Sequence, residues 1–105
     1  MRRVFRLPSA VDDADAIAAY LFAESPQAGE RFVTRFDETL VKIGEQPGIG
    51  RKRDDISRRL GRIRSVAVDG FPSHLVFYQE RADAIVIVRV LHGARRLRPE
   101  LFESG

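Results

Sequence analysis

Apolar residues recur at steps of three and four through the first half of the chain, and in short alternating or unbroken runs through the second. The first half therefore reads as helix and the second as sheet. Val11, Ala14, Ile17, Ala18 and Leu21 predict an amphipathic helix. Ser9 is its expected N-cap, Asp12, Asp13 and Asp15 favour its positive end, and it stops before Pro26. A second stripe, Ala28, Phe32, Phe36, Leu40 and Ile43, predicts a longer helix capped by Ser25, begun by Pro26 and closed by Gly44 and Pro47. The connection between them is too short for anything but an antiparallel hairpin. Ahead of both, Arg3 to Leu7 is rich in Val and Phe and is halted by Pro8, which reads as an edge strand.

Three strands follow: Ile63 to Val68, His74 to Glu80, and Ala84 to Leu91. Asp69-Gly70 and Arg81-Ala82-Asp83 are short turns, so these strands form an antiparallel meander. In the last strand Arg89 is the only residue that is not apolar, as expected of a strand inside a sheet and covered on both faces. Strict alternation puts Ile85, Ile87, Arg89 and Leu91 on one face, and Val86, Val88, Val90 and His92 on the other. The predicted fold is α+β: an N-terminal edge strand, a helix hairpin and a three-stranded meander, as one domain over residues 1–105. A helix hairpin covers one face of a sheet. The other face needs the tail Leu97 to Phe102 or another chain, and this points to a partner.

Charge sharpens that expectation. Residues 1–50 carry six Arg or Lys against eight Asp or Glu; residues 51–105 carry twelve against seven. Sixteen of the eighteen basic residues are arginine, whose planar fork suits phosphate and carboxylate. The segment Arg51 to Arg64 holds seven basic residues in fourteen and few apolar ones, so it reads as an exposed loop or single turn facing an anionic partner. There is no cysteine, so disulfides and thiolate chemistry are excluded. No apolar run is long enough to span a membrane and the N-terminus lacks a signal-peptide core, so a cytoplasmic protein is expected.

The element order β-α-α-β-β-β, the stretches IGEQPGIGR and HLVFYQE, and above all IVRVLHGARRL resemble the ParE branch of the RelE/ParE toxin superfamily, the toxins of type II toxin–antitoxin systems. ParE members usually read Arg-Asp where this chain has Arg95-Arg96. The resemblance implies a toxin that blocks replication by inhibiting DNA gyrase. It implies a cognate antitoxin whose C-terminal segment wraps the toxin in a hetero-oligomeric complex, and whose own N-terminal domain, not this chain, binds operator DNA. The alternative within the superfamily is a RelE-type ribosome-dependent mRNA endonuclease.

Metal-free RNA cleavage needs a base, an acid and cations for the phosphate. RelE-like nucleases are implied to use loop lysines, arginines and a tyrosine near the C-terminus. Here the C-terminal stretch offers Phe102, the tyrosines are Tyr20 and Tyr78, and Lys52 is the only loop lysine. A nuclease would have to rely on His92, Arg95 and His74. Two histidines without a carboxylate cluster make a poor metal site, so neither metal nor cofactor is expected. Val76, Tyr78, Val86, Val88 and Val90 with Arg58, Arg59 and Arg89 are the expected antitoxin contacts. Arg62, Arg64, Arg95, Arg96 and Arg98 are the expected target-binding cations. Arg89 has two readings: an acidic residue of the antitoxin, or an Asp or Glu of its own helices.

Overall fold

In the computed structural model, which describes residues 1–56, 62–93 and 97–102, the chain runs β1 (Arg3–Arg6), α1 (Pro8–Glu24), α2 (Pro26–Glu45), a 3₁₀ turn (Pro47–Ile49), β2 (Arg51–Lys52), β3 (Ile63–Val68), β4 (Phe71–Glu80), β5 (Ala84–His92) and a second 3₁₀ turn (Pro99–Phe102). The five strands form one mixed sheet in the order β1-β5-β4-β3-β2. β1 lies parallel to β5, and the other pairs are antiparallel. The expected strand, hairpin and meander are all present. β2 is an addition: Arg51 and Lys52 pair with Ser65 and Arg64, so the basic run begins as a sheet edge rather than a loop.

The helix ends are set by local chemistry that differs from expectation at two points. α1 starts at Pro8, whose fixed φ suits the first helical position, with Leu7 as its N-cap. The Ser9 hydroxyl, expected to cap, instead donates to the Val88 carbonyl at 3.1 Å and ties the helix to β5. Ser25 closes α1 through its backbone N–H to Leu21 O, and opens α2 by accepting from Ala28 N. Gly44 is inside α2 and does not close it. A Cβ there would lie 3.0 Å from Val4 Cγ2 and 3.1 Å from Arg2 O, so this glycine lets β1 approach the helix.

Two cores share the sheet. On the helix face, Phe32, Phe36, Leu40 and Ile43 of α2 pack on Ile85, Ile87 and Val90 of β5, and on Val76 and Tyr78 of β4. On the opposite face Ile56, Ile63, Phe77, Val88 and Leu91 are covered by Phe102, with Leu97 and Leu101 alongside. Phe77 and Phe102 meet edge to face at 5.1 Å. The tail therefore covers the second face, and the argument for a partner from uncovered sheet does not hold for this fold.

The face assignment along β5 also needs correction. Phe77 pairs with Arg89, but Tyr78 pairs with Ile87, so β5 carries one extra residue at this step. This β-bulge inverts the alternation beyond it. Val90 joins Ile85 and Ile87 on the helix face, while Leu91 joins Val88 on the tail face. Arg89 sits at the bulge, next to Asp13 of α1 on one side and the tail on the other.

Candidate functional site

β5 ends at His92 and β4 runs antiparallel beside it, so the register places His74 directly opposite His92. The two imidazoles lie 5.4 Å apart, edge to face. Gly93 follows, its N–H donating to Ser73 O at 2.6 Å. Behind His74 stands an aromatic row: Phe32 at 5.8 Å and Phe71 at 6.4 Å, with the Arg31 guanidinium 5.5 Å over the Phe71 ring. His74 Nδ1 is buried and accepts or donates no hydrogen bond. Burial, and then the neighbouring His92, hold the His74 pKa below the usual imidazole value, so the ring favours its neutral form. His92 is exposed. Arg95, the third member of the expected nuclease set, lies outside the described residues, as do Arg58, Arg59 and Arg96.

The tyrosines are placed away from this edge or are already committed. The Tyr78 hydroxyl donates to Pro47 O at 2.6 Å and accepts from Gly50 N at 2.9 Å. Burial raises its pKa, opposed by the Gly50 N–H. It is a structural post between β4 and the turn after α2. Tyr20 is exposed on α1. Phe102 is buried in the tail-side core.

The apolar and tyrosine members of the expected antitoxin set fall in the interior. Val76, Tyr78, Val86, Val88 and Val90 are all 8% exposed or less, so they are core residues and not a strand surface open to a partner. A sequence pattern marks a strand residue as apolar without telling which of the chain's own segments will cover it. For Arg89 the internal reading has its partner: Nε and Nη2 donate to Asp13 at 2.7 and 2.8 Å, and Nη1 donates to Leu101 O at 2.8 Å. Asp13 also accepts from Val90 N at 3.0 Å. Its carboxylate raises the Arg89 pKa further. One charge pair thus joins helix, bulge and tail.

The expected target-binding cations divide. Arg62 is exposed, in a cleft with Lys52, Asp54 and Arg64. Arg64 is partly engaged: it donates to Gly50 O at 2.8 Å and lies 3.6 Å from Glu80. Arg98 is exposed beside the tail turn. Sequence reasoning missed Arg53, taken as part of an exposed run. It is buried, donates through Nε and Nη2 to Asp55, both at 3.1 Å, and through Nη1 to Ser65, and stacks on Phe77. A turn brings the pair together: Asp55 lies two residues after Arg53, and Ile56 N–H donates to Arg53 O at 3.2 Å. Among the described residues no group of three or more His, Cys, Asp or Glu is placed to hold a metal ion. Among them, too, no helix is long and apolar enough to cross a membrane.

No curated protein matches the chain. The family model of the ParE toxin of the type II toxin–antitoxin system, parDE, matches residues 4–97, which takes in the helix hairpin, the five strands except Arg3 at the start of β1, and the His74–His92 edge. Such a toxin is paired with an antitoxin, and the chain belongs to this ParE toxin family.

Proposed function

We propose that this toxin acts as one domain in the cytoplasm, inhibits DNA gyrase without hydrolytic chemistry of its own, and is silenced by its antitoxin in a hetero-oligomeric complex. The observation that carries this reading is the state of the groups a nuclease would use. The Tyr78 hydroxyl is held between Pro47 and Gly50, and His74 is packed among phenylalanines in a setting that disfavours its protonated form. Acid–base cleavage needs groups free to exchange protons with substrate. Arg62 and Arg98, both exposed, are proposed as target contacts, together with Arg64, Arg95 and Arg96.

The deciding experiment is a supercoiling and DNA-cleavage assay of gyrase with purified, antitoxin-free protein. Inhibition with trapped, cleaved DNA is the expected result. Cleavage of mRNA on translating ribosomes with gyrase untouched would reject the reading. One observation favours that second possibility: His74 and His92 face each other at the end of the sheet. If it holds, the double variant His74→Ala, His92→Ala loses toxicity.

A further inference from the structure

Lys52 of β2 stands directly opposite Arg64 of β3, so two cations share one cross-strand position. Arg62 lies two residues before Arg64, on the same face and roughly 7 Å along the chain. With Asp54, the three line a cleft of about 290 Å³ over the buried Ile63. β2 is the last strand of the sheet, and its outer side pairs with no strand among the described residues. In β4, Gln79 is the partner of Ile63, whereas His74 lies toward the other end of that strand. The cleft is therefore separate from the His74–His92 edge.

Like charges directly opposite each other in a ladder destabilise it. The fold does not need them here: Lys52 and Arg62 are exposed, and β2 is only Arg51–Lys52, with both side chains in solvent. Among the described residues neither Lys52 nor Arg62 forms an ion pair, and Asp54, although it lines the cleft, is paired with neither. Glu80 lies 2.8 Å from Arg2 and 3.6 Å from Arg64, so it is shared and offsets Arg64 only in part. Arg64 is held in place by donating to Gly50 O at 2.8 Å, and Gly50 in turn donates to the Tyr78 hydroxyl. Positive charge is thus concentrated and positioned here without being neutralised from within. An arrangement that costs stability and makes no contact the fold requires is where function is expected.

The cleft calls for an anion, and its other lining narrows the class. A protein partner anchors through apolar or aromatic side chains seated in pockets. Among the described lining residues the one apolar side chain, Ile63, is 2% exposed and offers no such seat. A nucleic-acid backbone needs cations alone, because phosphate contacts position a duplex without reading its bases. We propose that this cleft holds backbone phosphates of duplex DNA, gripped by Lys52, Arg62 and Arg64 without regard to sequence. This rests on the reading that the toxin acts on gyrase, an enzyme that works on DNA. It adds that these cations meet the DNA in that complex and not the surface of the enzyme.

The test uses the full, antitoxin-free chain and a short fluorescent DNA duplex of arbitrary sequence, with binding read by anisotropy across a salt series. Wild type is expected to bind, with a log–log salt slope that Lys52→Gln and Arg62→Gln each reduce by about one. By the same counterion release, each variant is expected to bind about eightfold more weakly at 0.1 M salt. Asp54→Asn is expected to bind more tightly, because it removes a carboxylate from the cleft. Lys52→Gln is expected to melt no lower than wild type, since it relieves the repulsion across the ladder. In a gyrase cleavage assay Arg62→Gln is expected to need more toxin for equal trapping of cleaved DNA. If wild type binds no duplex, or both Gln variants bind with the slope of wild type, the cleft is wrong, whether or not gyrase is inhibited. Tighter binding of single-stranded RNA, weakened by the same variants, would overturn DNA as the occupant. If the duplex results hold while gyrase is untouched, the cleft stands as a DNA site and the gyrase reading fails.

Discussion

The two faces of the sheet are covered by different means. On the helix face, two helices totalling most of the first half of the chain lay a continuous apolar stripe over β3, β4 and β5, and the core contacts are aliphatic and aromatic. On the tail face a short segment, residues 97–102, supplies Leu97, Leu101 and Phe102. It is pinned by polar bonds: Arg89 to Leu101 O and Asp13, with Arg53 bracing the same core from the side of β2. A broad apolar contact stabilises through area and tolerates small shifts. A narrow one depends on a few directed bonds that hold it in register. The helix face should therefore carry the stability of the fold, and the tail face should open first.

Truncation on the helix face gives the largest effect. Phe32 is almost fully buried, stacks on Phe36 at 5.9 Å and meets Phe71 at 5.3 Å. Phe32→Ala is expected to cost about 4 kcal/mol, seen as a lower urea midpoint with the two-state transition retained. Next comes the pair that joins the faces. Asp13→Ala leaves Arg89 without its carboxylate and Val90 N–H without its acceptor, for a loss of about 3 kcal/mol. This is at the low end for a broken buried pair, because both side chains keep some solvent. The double variant Asp13→Ala, Arg89→Leu should recover part of it. If the double variant is no better than Asp13→Ala, the cost lies in the helix rather than in the stranded charge.

A smaller effect is expected from Phe102, although it is as buried as Phe36. Phe102→Ala should cost about 2 kcal/mol, below the usual range for a phenylalanine, because the loss is limited by the free energy of undocking one short segment. Amide exchange should speed up first at Leu101 and around the 97–102 turn, with α2 still protected. Equal loss of protection on both faces would show that the two cores melt as one, and the contrast drawn between them would fail.

The sequence makes some of this legible and hides the rest for identifiable reasons. Helix periodicity and the Ser25-Pro26 signal locate the hairpin because both are local. The meander follows from short turns: the Gly70 position at φ +80° is of the kind only glycine adopts easily. What stayed hidden depends on contacts distant in sequence. The bulge in β5 is invisible in AIVIVRVLH, since Val88 and Arg89 give no turn signal, yet it decides which residues face the helices. Asp13 reads as a helix-dipole residue until Arg89, 76 positions away, is seen beside it. Likewise the apolar strand positions taken for antitoxin contacts are interior because α2 and the tail fold back on them. At the candidate site His74 and His92 could be read as sharing a sheet, but their direct opposition is a matter of register.

That opposition yields the smallest predicted effect, and it distinguishes the helix face from the tail face by pH. His74 touches the helix-face core through Phe32 and Phe71, with His92 across the ladder and the Arg31 guanidinium above Phe71. Burial, and then His92, lower its folded pKa, while the unfolded chain titrates near the ordinary value of about 6.5. Between the two values the unfolded state binds more protons, so stability rises with pH there. The stability associated with neutral His74 is complete above about pH 6.5, declines as the pH falls through the lowered folded value, and levels off below it. Asp55, the carboxyl that Arg53 holds below its usual range on the tail side, acts only at more acid pH. Thermal melts from pH 7.5 down to pH 5 should therefore report the helix-face imidazole rather than Asp55. His74→Phe keeps the ring contacts with Phe32 and Phe71 and should flatten the slope. His92→Ala should flatten it partly, because burial is the larger cause of the shift and His92 the smaller. A slope unchanged in His74→Phe would place the titrating group elsewhere.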